Sequence, residues 1–240
     1  MLPEIYSILS AYFLFGALGI LLINRRDQGP AQKKERWVKY IVYLILVNAV
    51  IFIIHSGYFL YLSLILVLLG LYEMISVGKT NIKRLIFSVF IYSFFAVFFV
   101  LSSKNEPEFL LTVYLLILTF DGFSQIIGQL FGKNKLAPST SPNKTNEGFL
   151  GGMLSVMLTL FILFPSFDLT SILFFILGGM LFSLAALGGD LLASYYKRMN
   201  KVKDFSKLIP GHGGVLDRFD SFIFTLGIIT FFALTIYGTT

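Results

Sequence analysis

Cysteine is absent from this 240-residue chain, tryptophan occurs once and histidine twice, and Asp, Glu, Lys and Arg together make up only 13% of it. Without cysteine there is no disulfide framework, no thiolate-ligated zinc and no thiol nucleophile. So little charge beside 56% hydrophobic residues and a mean hydropathy of +0.82 excludes a soluble domain that alternates core and surface. Internal repeats and low-complexity linkers are missing, as are the alternating ladders of a membrane barrel and a Walker A G-x-x-x-x-G-K-[ST] loop.

What the chain does have is long apolar runs. A bilayer core of roughly 30 Å takes about 20 apolar residues per helix, and such runs fall at 3–24, 39–55, 58–78, 85–103, 109–131, 149–165, 172–196 and 219–237. The expected fold is all-α: a polytopic integral membrane protein of about eight transmembrane helices with its N-terminus outside. Only His55-Ser56-Gly57 separates the second and third runs, which leaves one long helix, and seven spans, as the alternative. The first run, preceded by Glu4 and by no basic stretch or small-residue cleavage site, reads as an uncleaved anchor. One membrane domain, 1–240, is expected, with helices of unassigned role over 1–103 and catalytic helices and cytoplasmic loops over 109–237.

Orientation follows from the basic residues, which favour cytoplasmic loops. With the N-terminus outside, every Lys and Arg except Lys104 lies at inner loops, namely around 25–39, 79–84, 133–144 and 197–218. An even number of crossings between them is required for this. The formal charge of +6 is therefore a property of the inner face, suited to anionic lipid head groups, and not a nucleic-acid surface.

Charges inside apolar runs cost about 2.5–3.5 kcal/mol at mid-helix and mark function by default. Glu73, Asp121, Asp190, Asp217 and Asp220 all fall in the inner halves of their runs. Glu73 on its own divides evenly between a site and a buried structural carboxylate. Asp217 and Asp220, three residues apart, share a helical face, and two such carboxylates repel unless a cation or proton lies between them. Oxygen ligands of this kind suit Mg²⁺. Asp190, Ser194 and Lys197 or Arg198 recur at helical spacing and form a second polar stripe. Between the stripes, "KVKDFSKLIPGHGG" combines lysines with glycines whose N–H groups can approach phosphate oxygens; its His212 is either solvated or a phosphate or metal group. "GKNKLAPSTSPNKTNEG", residues 132–148, offers Ser, Thr, Asn and Lys donors to an anion. Phe and Tyr are spread over all runs and mark no cofactor box.

The run from Ser194 to Asp220, "SYYKRMNKVKDFSKLIPGHGGVLDRFD", resembles the signature of the phosphatidate cytidylyltransferase (CDP-diacylglycerol synthase) family: S-x-x-K-R, four residues, K-D, then P-x-H-G-G-x-x-D-R-x-D. "GGDLLAS" is similar to the family's G-D-x-x-x-S lead-in, "SPNKTNEG" to its S-P-x-K-T-x-E-G loop, and "DGFSQIIGQLFG" to its D-x-x-x-x-x-x-G-x-x-F-G segment. The resemblance covers Asp121 to Asp220. Three positions depart from it: Tyr196 replaces an aliphatic residue or Phe, Asn146 a tryptophan, and Gln125 an aromatic.

The resemblance implies a homodimeric, Mg²⁺-dependent enzyme of a bacterial cytoplasmic membrane, its active site facing the cytoplasm. Such an enzyme joins CTP to phosphatidate and releases pyrophosphate. A second metal ion is left open, and no nucleic-acid partner is expected. Metal binding is assigned to Asp190, Asp217 and Asp220, supported by Ser194 and Asp121. Phosphate charge is assigned to Lys144, Lys197, Arg198, Lys203, His212 and Arg218, with Asp204 orienting its lysine neighbours and Ser141, Thr145, Gly213 and Gly214 as substrate-binding positions. The alternatives are a CTP-dependent polyprenol- or phytol-type lipid kinase, and an inactive paralogue or transporter of anionic lipids.

Overall fold

The computed structural model describes residues 2–26, 29–165 and 168–238. Eight helices are long and apolar enough to cross a membrane: α1 (Leu2–Arg26), α2 (Pro30–His55), α3 (Phe59–Val77), α4 (Ile82–Leu101), α5 (Pro107–Phe131), α6 (Asn146–Leu163), α7 (Leu169–Met199) and α8 (Leu216–Tyr237). Between α5 and α6 a short antiparallel hairpin, β1 (Lys135–Ala137) and β2 (Ser141–Thr145), replaces the irregular loop that its two prolines suggest.

The break between α2 and α3 is real, so the count is eight. Gly57 takes φ +77, its N–H donates to the Ile54 carbonyl, and the Tyr58 N–H donates to Ile53. These two bonds and a left-handed glycine form a Schellman stop. The same device ends α7, with Lys201 at φ 59 and the Val202 N–H donating to Lys197.

Helix α5 is the axis of the bundle. Its buried residues run without interruption from Leu110 to Ile117, and a helix apolar on every side belongs in the interior. Around it, Phe59, Phe99 and Phe222 of α3, α4 and α8 pack edge to face, Phe222 lying 5.2 Å from Phe99 and, tilted, 5.1 Å from Tyr114 of α5. Outward surfaces of the other helices carry exposed Leu, Ile and Phe, as a lipid-facing surface requires. Close helix contacts use small residues in place of a hydrophobic drive: a Cβ on Gly152 of α6 would meet Ser124 and Phe120 of α5, and one on Gly189 of α7 would come within 3.1 Å of the Asp220 carbonyl of α8.

With 31 residues, α7 spans about 46 Å at 1.5 Å per residue, well beyond a hydrocarbon core of roughly 30 Å. Its surplus carries Lys197 and Arg198 past the apolar zone. At that end lie the hairpin, the starts of α2, α4, α6 and α8, and the loop from Asn200 to Val215. All the polar segments expected at inner loops thus gather at one end of the bundle.

Candidate active site

The hairpin reaches the site because its base is clamped. Glu147, in the first turn of α6, accepts hydrogen bonds from the N–H groups of Lys133 and Asn134 and from the Asn134 amide at 2.8–3.2 Å. Thr145 caps α6 by accepting from the Gly148 N–H at 3.1 Å and is buried. Thr145 therefore acts as a helix cap, while Ser141, at the far end of β2, remains half-buried. From β2, Lys144 forms an ion pair with Asp190 of α7. Arg198 Nε donates to the Thr140 carbonyl at the hairpin tip at 3.2 Å, and its Nη1 donates to the Val202 carbonyl.

Helix α7 contributes a polar stripe as its spacing implied. The Ser194 hydroxyl donates to Asp190 Oδ1 at 3.2 Å, so this carboxylate is shared between a hydroxyl and the Lys144 ammonium.

Asp217 departs from its expected part. Lys197 Nζ lies 2.6 Å from Asp217 Oδ1, with the two side chains only 10% and 3% exposed, while the N–H groups of Phe205 and Gly214 both donate to Oδ2 at 2.8 Å. Spacing called for a cation between Asp217 and Asp220; at Asp217 that cation is the Lys197 ammonium, and both oxygens are engaged by protein donors. Lys197, assigned to phosphate charge, is correspondingly buried in this pair and sits 5.2 Å from the Phe205 ring centre. Gly213 and Gly214 have structural reasons to be glycine. Gly213 has φ +85, and a Cβ there would lie 2.8 Å from Asp217 Oδ2, whereas one on Gly214 would lie 2.5 Å from Glu73 Oε1. The Gly214 N–H, expected to face substrate, is spent on Asp217.

Asp220 and Asp121 are different. Asp220 Oδ1 accepts from the N–H of the adjacent Ser221 at 2.7 Å, and among the described residues no cation bonds it. Asp121, ten residues before the end of α5, is exposed. Asp121, Asp190 and Asp220 lie within electrostatic range of one another, with Lys144 and Arg218 in range of Asp121 and Lys197 in range of Asp220. Three carboxylates from α5, α7 and α8 thus gather near the hairpin that carries Lys144.

The remaining expected residues lie on the loop from Asn200 to Val215 and at the start of α8. Lys203, Asp204 and Arg218 are exposed, and Arg218 Nε donates to the His212 carbonyl at 2.9 Å. His212 stacks on Tyr43 of α2 with ring centres 5.9 Å apart. Burial holds its imidazole below the usual range, with the Arg218 and Lys39 charges acting the same way against an opposing bond to the Pro210 carbonyl. A neutral ring is a weak partner for phosphate.

Three features escaped the sequence reading. Glu73, balanced there between two parts, is buried and fully bonded: Ser206 Oγ and the Val215 N–H donate to Oε1 at 2.6 and 2.9 Å, and the Leu216 N–H to Oε2 at 2.7 Å. Tyr196 uses the hydroxyl that an aliphatic residue or Phe would lack, donating to the Met74 carbonyl at 2.8 Å. An apolar cavity of about 290 Å³ opens between α4, α7 and α8, with Phe87, Tyr92, Leu192 and Phe224 in its walls and Arg84 and Asp220 among its polar lining. Nothing in the linear sequence joins these residues.

As to a metal, no three His, Asp or Glu side chains among the described residues form a ready-made shell. The donors present fit an ion that arrives with a nucleotide, because Mg²⁺ commonly takes one or two carboxylates and completes its shell with phosphate oxygens and water.

Comparison with known proteins gives the chain a family. A model of the cytidylyltransferase family matches residues 33–236. The phosphatidate cytidylyltransferase of Staphylococcus haemolyticus is 38% identical over 134 residues, 55% of this chain and 51% of that protein. Those of Staphylococcus saprophyticus and Staphylococcus epidermidis are 39% identical over 131 residues (54% and 50% covered) and 42% identical over 123 residues (51% and 47% covered). The chain spans about half the length of the curated relatives it matches. With the family model covering most of its length, from α2 to the last turns of α8, the chain belongs to the cytidylyltransferase family.

Proposed function

We propose that the chain transfers the cytidylyl group of CTP to phosphatidate, giving CDP-diacylglycerol and pyrophosphate, at the cytoplasmic face of a bacterial inner membrane. The observation that carries this reading is Asp220, which lines the apolar cavity and lies within electrostatic range of Asp190, Asp121 and Lys197. A lipid with an anionic head and a water-soluble nucleotide both have surfaces to rest on there. The cavity's apolar lining and its Arg84 suit acyl chains and their phosphate. Lys144, Arg198, Lys203 and Arg218 suit the triphosphate.

The chemistry asks little of a general base. A phosphomonoester has a second pKa of about 6, so the lipid phosphate is already largely a dianion at neutral pH. One of its oxygens forms a bond to the α-phosphorus of CTP, the bond from that phosphorus to the bridging oxygen breaks, and pyrophosphate leaves with the electron pair. The task is to hold two polyanions in line and to neutralise the charge that gathers on the leaving oxygens. Lys144 can swing between Asp190 and a phosphate, Arg218 and Lys203 approach from the start of α8 and the loop before it, and Ser194 orients Asp190. One or two of Asp121, Asp190 and Asp220 would hold Mg²⁺, which when bound would supply charge neutralisation at the phosphates. Asp217 and Lys197 keep the loop in register and touch neither substrate.

The homodimer implied by the resemblance belongs to the same proposal and is read from the mass of the protein in detergent. Purified chain supplied with CTP, Mg²⁺ and phosphatidate is expected to release pyrophosphate and form CDP-diacylglycerol. Absence of both products with folded protein would reject the reaction.

A further inference from the structure

We infer that Glu73 is a positioning residue for the transfer: from α3, outside the signature-bearing half of the chain, it fixes the entry of α8 and thereby the placement of Asp220. The activity arm of this inference rests on the reaction proposed above.

The N-terminus of a helix leaves several N–H groups without partners. They are normally met by a Ser, Thr, Asp or Asn at the cap, yet α8 begins after Val215, whose side chain accepts nothing. Glu73 supplies the cap from another helix. Its two oxygens take the Val215 and Leu216 N–H groups and the Ser206 hydroxyl, all at 2.6–2.9 Å, and the residue is 1% exposed. A carboxylate there also opposes the positive end of the α8 dipole. Gly214 packs directly against this carboxylate, with no room for a Cβ. On the opposite side Asp217 grips the same loop through Phe205 and Gly214. Two carboxylates from two helices therefore hold the segment from Phe205 to Leu216 between them.

Adjacent Met74 takes the Tyr196 hydroxyl of α7, so the end of α3 fastens α7 and α8, which carry Asp190 and Asp220. Asp220 follows Leu216 by four residues, about one helical turn. A shift of α8's first turn moves its carboxylate with it. Fully bonded and away from solvent, Glu73 has no oxygen to offer a substrate.

The test compares wild type with Glu73→Ala, Glu73→Gln, Ser206→Ala and Leu66→Ala, the last a buried α3 residue outside the latch. Readouts are thermal midpoint, kcat, KM for each substrate, and amide exchange over 205–216. Misplacement by about 1 Å costs on the order of a hundredfold. Glu73→Ala should therefore lose at least roughly tenfold in kcat with both KM values nearly unchanged, Glu73→Gln less, and Ser206→Ala least. Leu66→Ala should lose midpoint but keep kcat. Exchange protection at Val215 and Leu216 should fall in the Glu73 variants only. Wild-type kcat in Glu73→Ala, or an equal kcat loss in Leu66→Ala at equal midpoint, would overturn the inference. If Glu73→Ala does not fold, Glu73→Gln and Ser206→Ala decide by the same ratios. An inactive wild type would reject the proposed reaction instead; unchanged protection in Glu73→Gln would then still overturn the latch.

Discussion

Asp217 and Asp220 stand three residues apart at the start of one helix, in one signature run, and the structure treats them in opposite ways. Asp217 turns back into the 205–214 loop and spends both oxygens on Lys197, Phe205 and Gly214. Asp220 lies within electrostatic range of Asp190 and Asp121 and, among the described residues, is bonded by the N–H of its neighbour alone. Glu73 and Asp121 repeat the contrast, one sealed against the loop and the other exposed on α5. The lesson is that a dense acidic motif mixes two trades. Asp217 and Glu73, held by backbone N–H groups of the loop, build it, and Asp220 and Asp121 are left for the proposed chemistry.

Substitutions that remove charge at matched positions should split these trades. The largest effect is expected for Asp217→Asn, which leaves the buried Lys197 ammonium without its partner; breaking such a pair costs about 3–5 kcal/mol. Thermal midpoint and turnover should fall together. Turnover lost at an unchanged midpoint would move Asp217 into the chemistry.

Next come Asp220→Asn and Asp121→Asn. Among the described residues neither has a cationic bonding partner, so stability should stay within about 0.5 kcal/mol, while turnover drops on the order of a hundredfold, as for removal of one electrostatic group at a reacting centre. Retained turnover at saturating Mg²⁺ in either variant would remove that residue from the site.

A smaller effect concerns pH. His212 faces Tyr43, Lys39, Arg218 and the Pro210 carbonyl, and its folded imidazole is held below the ordinary value. The unfolded chain therefore binds the proton first as pH falls. This contribution is present above the ordinary histidine value of about 6.5 and is lost as pH falls below it, through the lower folded value. Melting midpoints should decline on the acid side of neutrality, and His212→Phe, which keeps a ring on Tyr43, should make that decline shallower. Smallest of all, Lys201→Gly relieves a left-handed non-glycine residue at the end of α7 and should stabilise by about 1 kcal/mol, with turnover unchanged.

The membrane architecture was legible because a bilayer demands length and apolarity, both linear properties. All eight spans fall inside observed helices or within a residue or two of them, and His55-Ser56-Gly57 proved a true turn because glycine alone enters the left-handed region freely. The hairpin was not legible, since three- and five-residue strands punctuated by Pro138 and Pro142 carry no alternating signal. The site's membership was legible as a set of residues near one end of the bundle. The partition within it was not. Helical spacing puts Asp217 and Asp220 on one face only once the helix is under way, and Asp217 sits at its first turn, where a side chain can reach back to the loop. Glu73 was visible as a costly carboxylate in an apolar run, yet its partners lie more than 130 residues away, a distance that no motif spans.

The most direct measurement follows the fate of the two ends of CTP. With phosphatidate present, label at the α-phosphate should enter the lipid extract and label at the γ-phosphate should appear only in aqueous pyrophosphate, as the proposed attack of the lipid phosphate on the α-phosphorus requires. Label from the γ-phosphate in the lipid fraction would contradict the transfer and identify a CTP-dependent lipid kinase in its place.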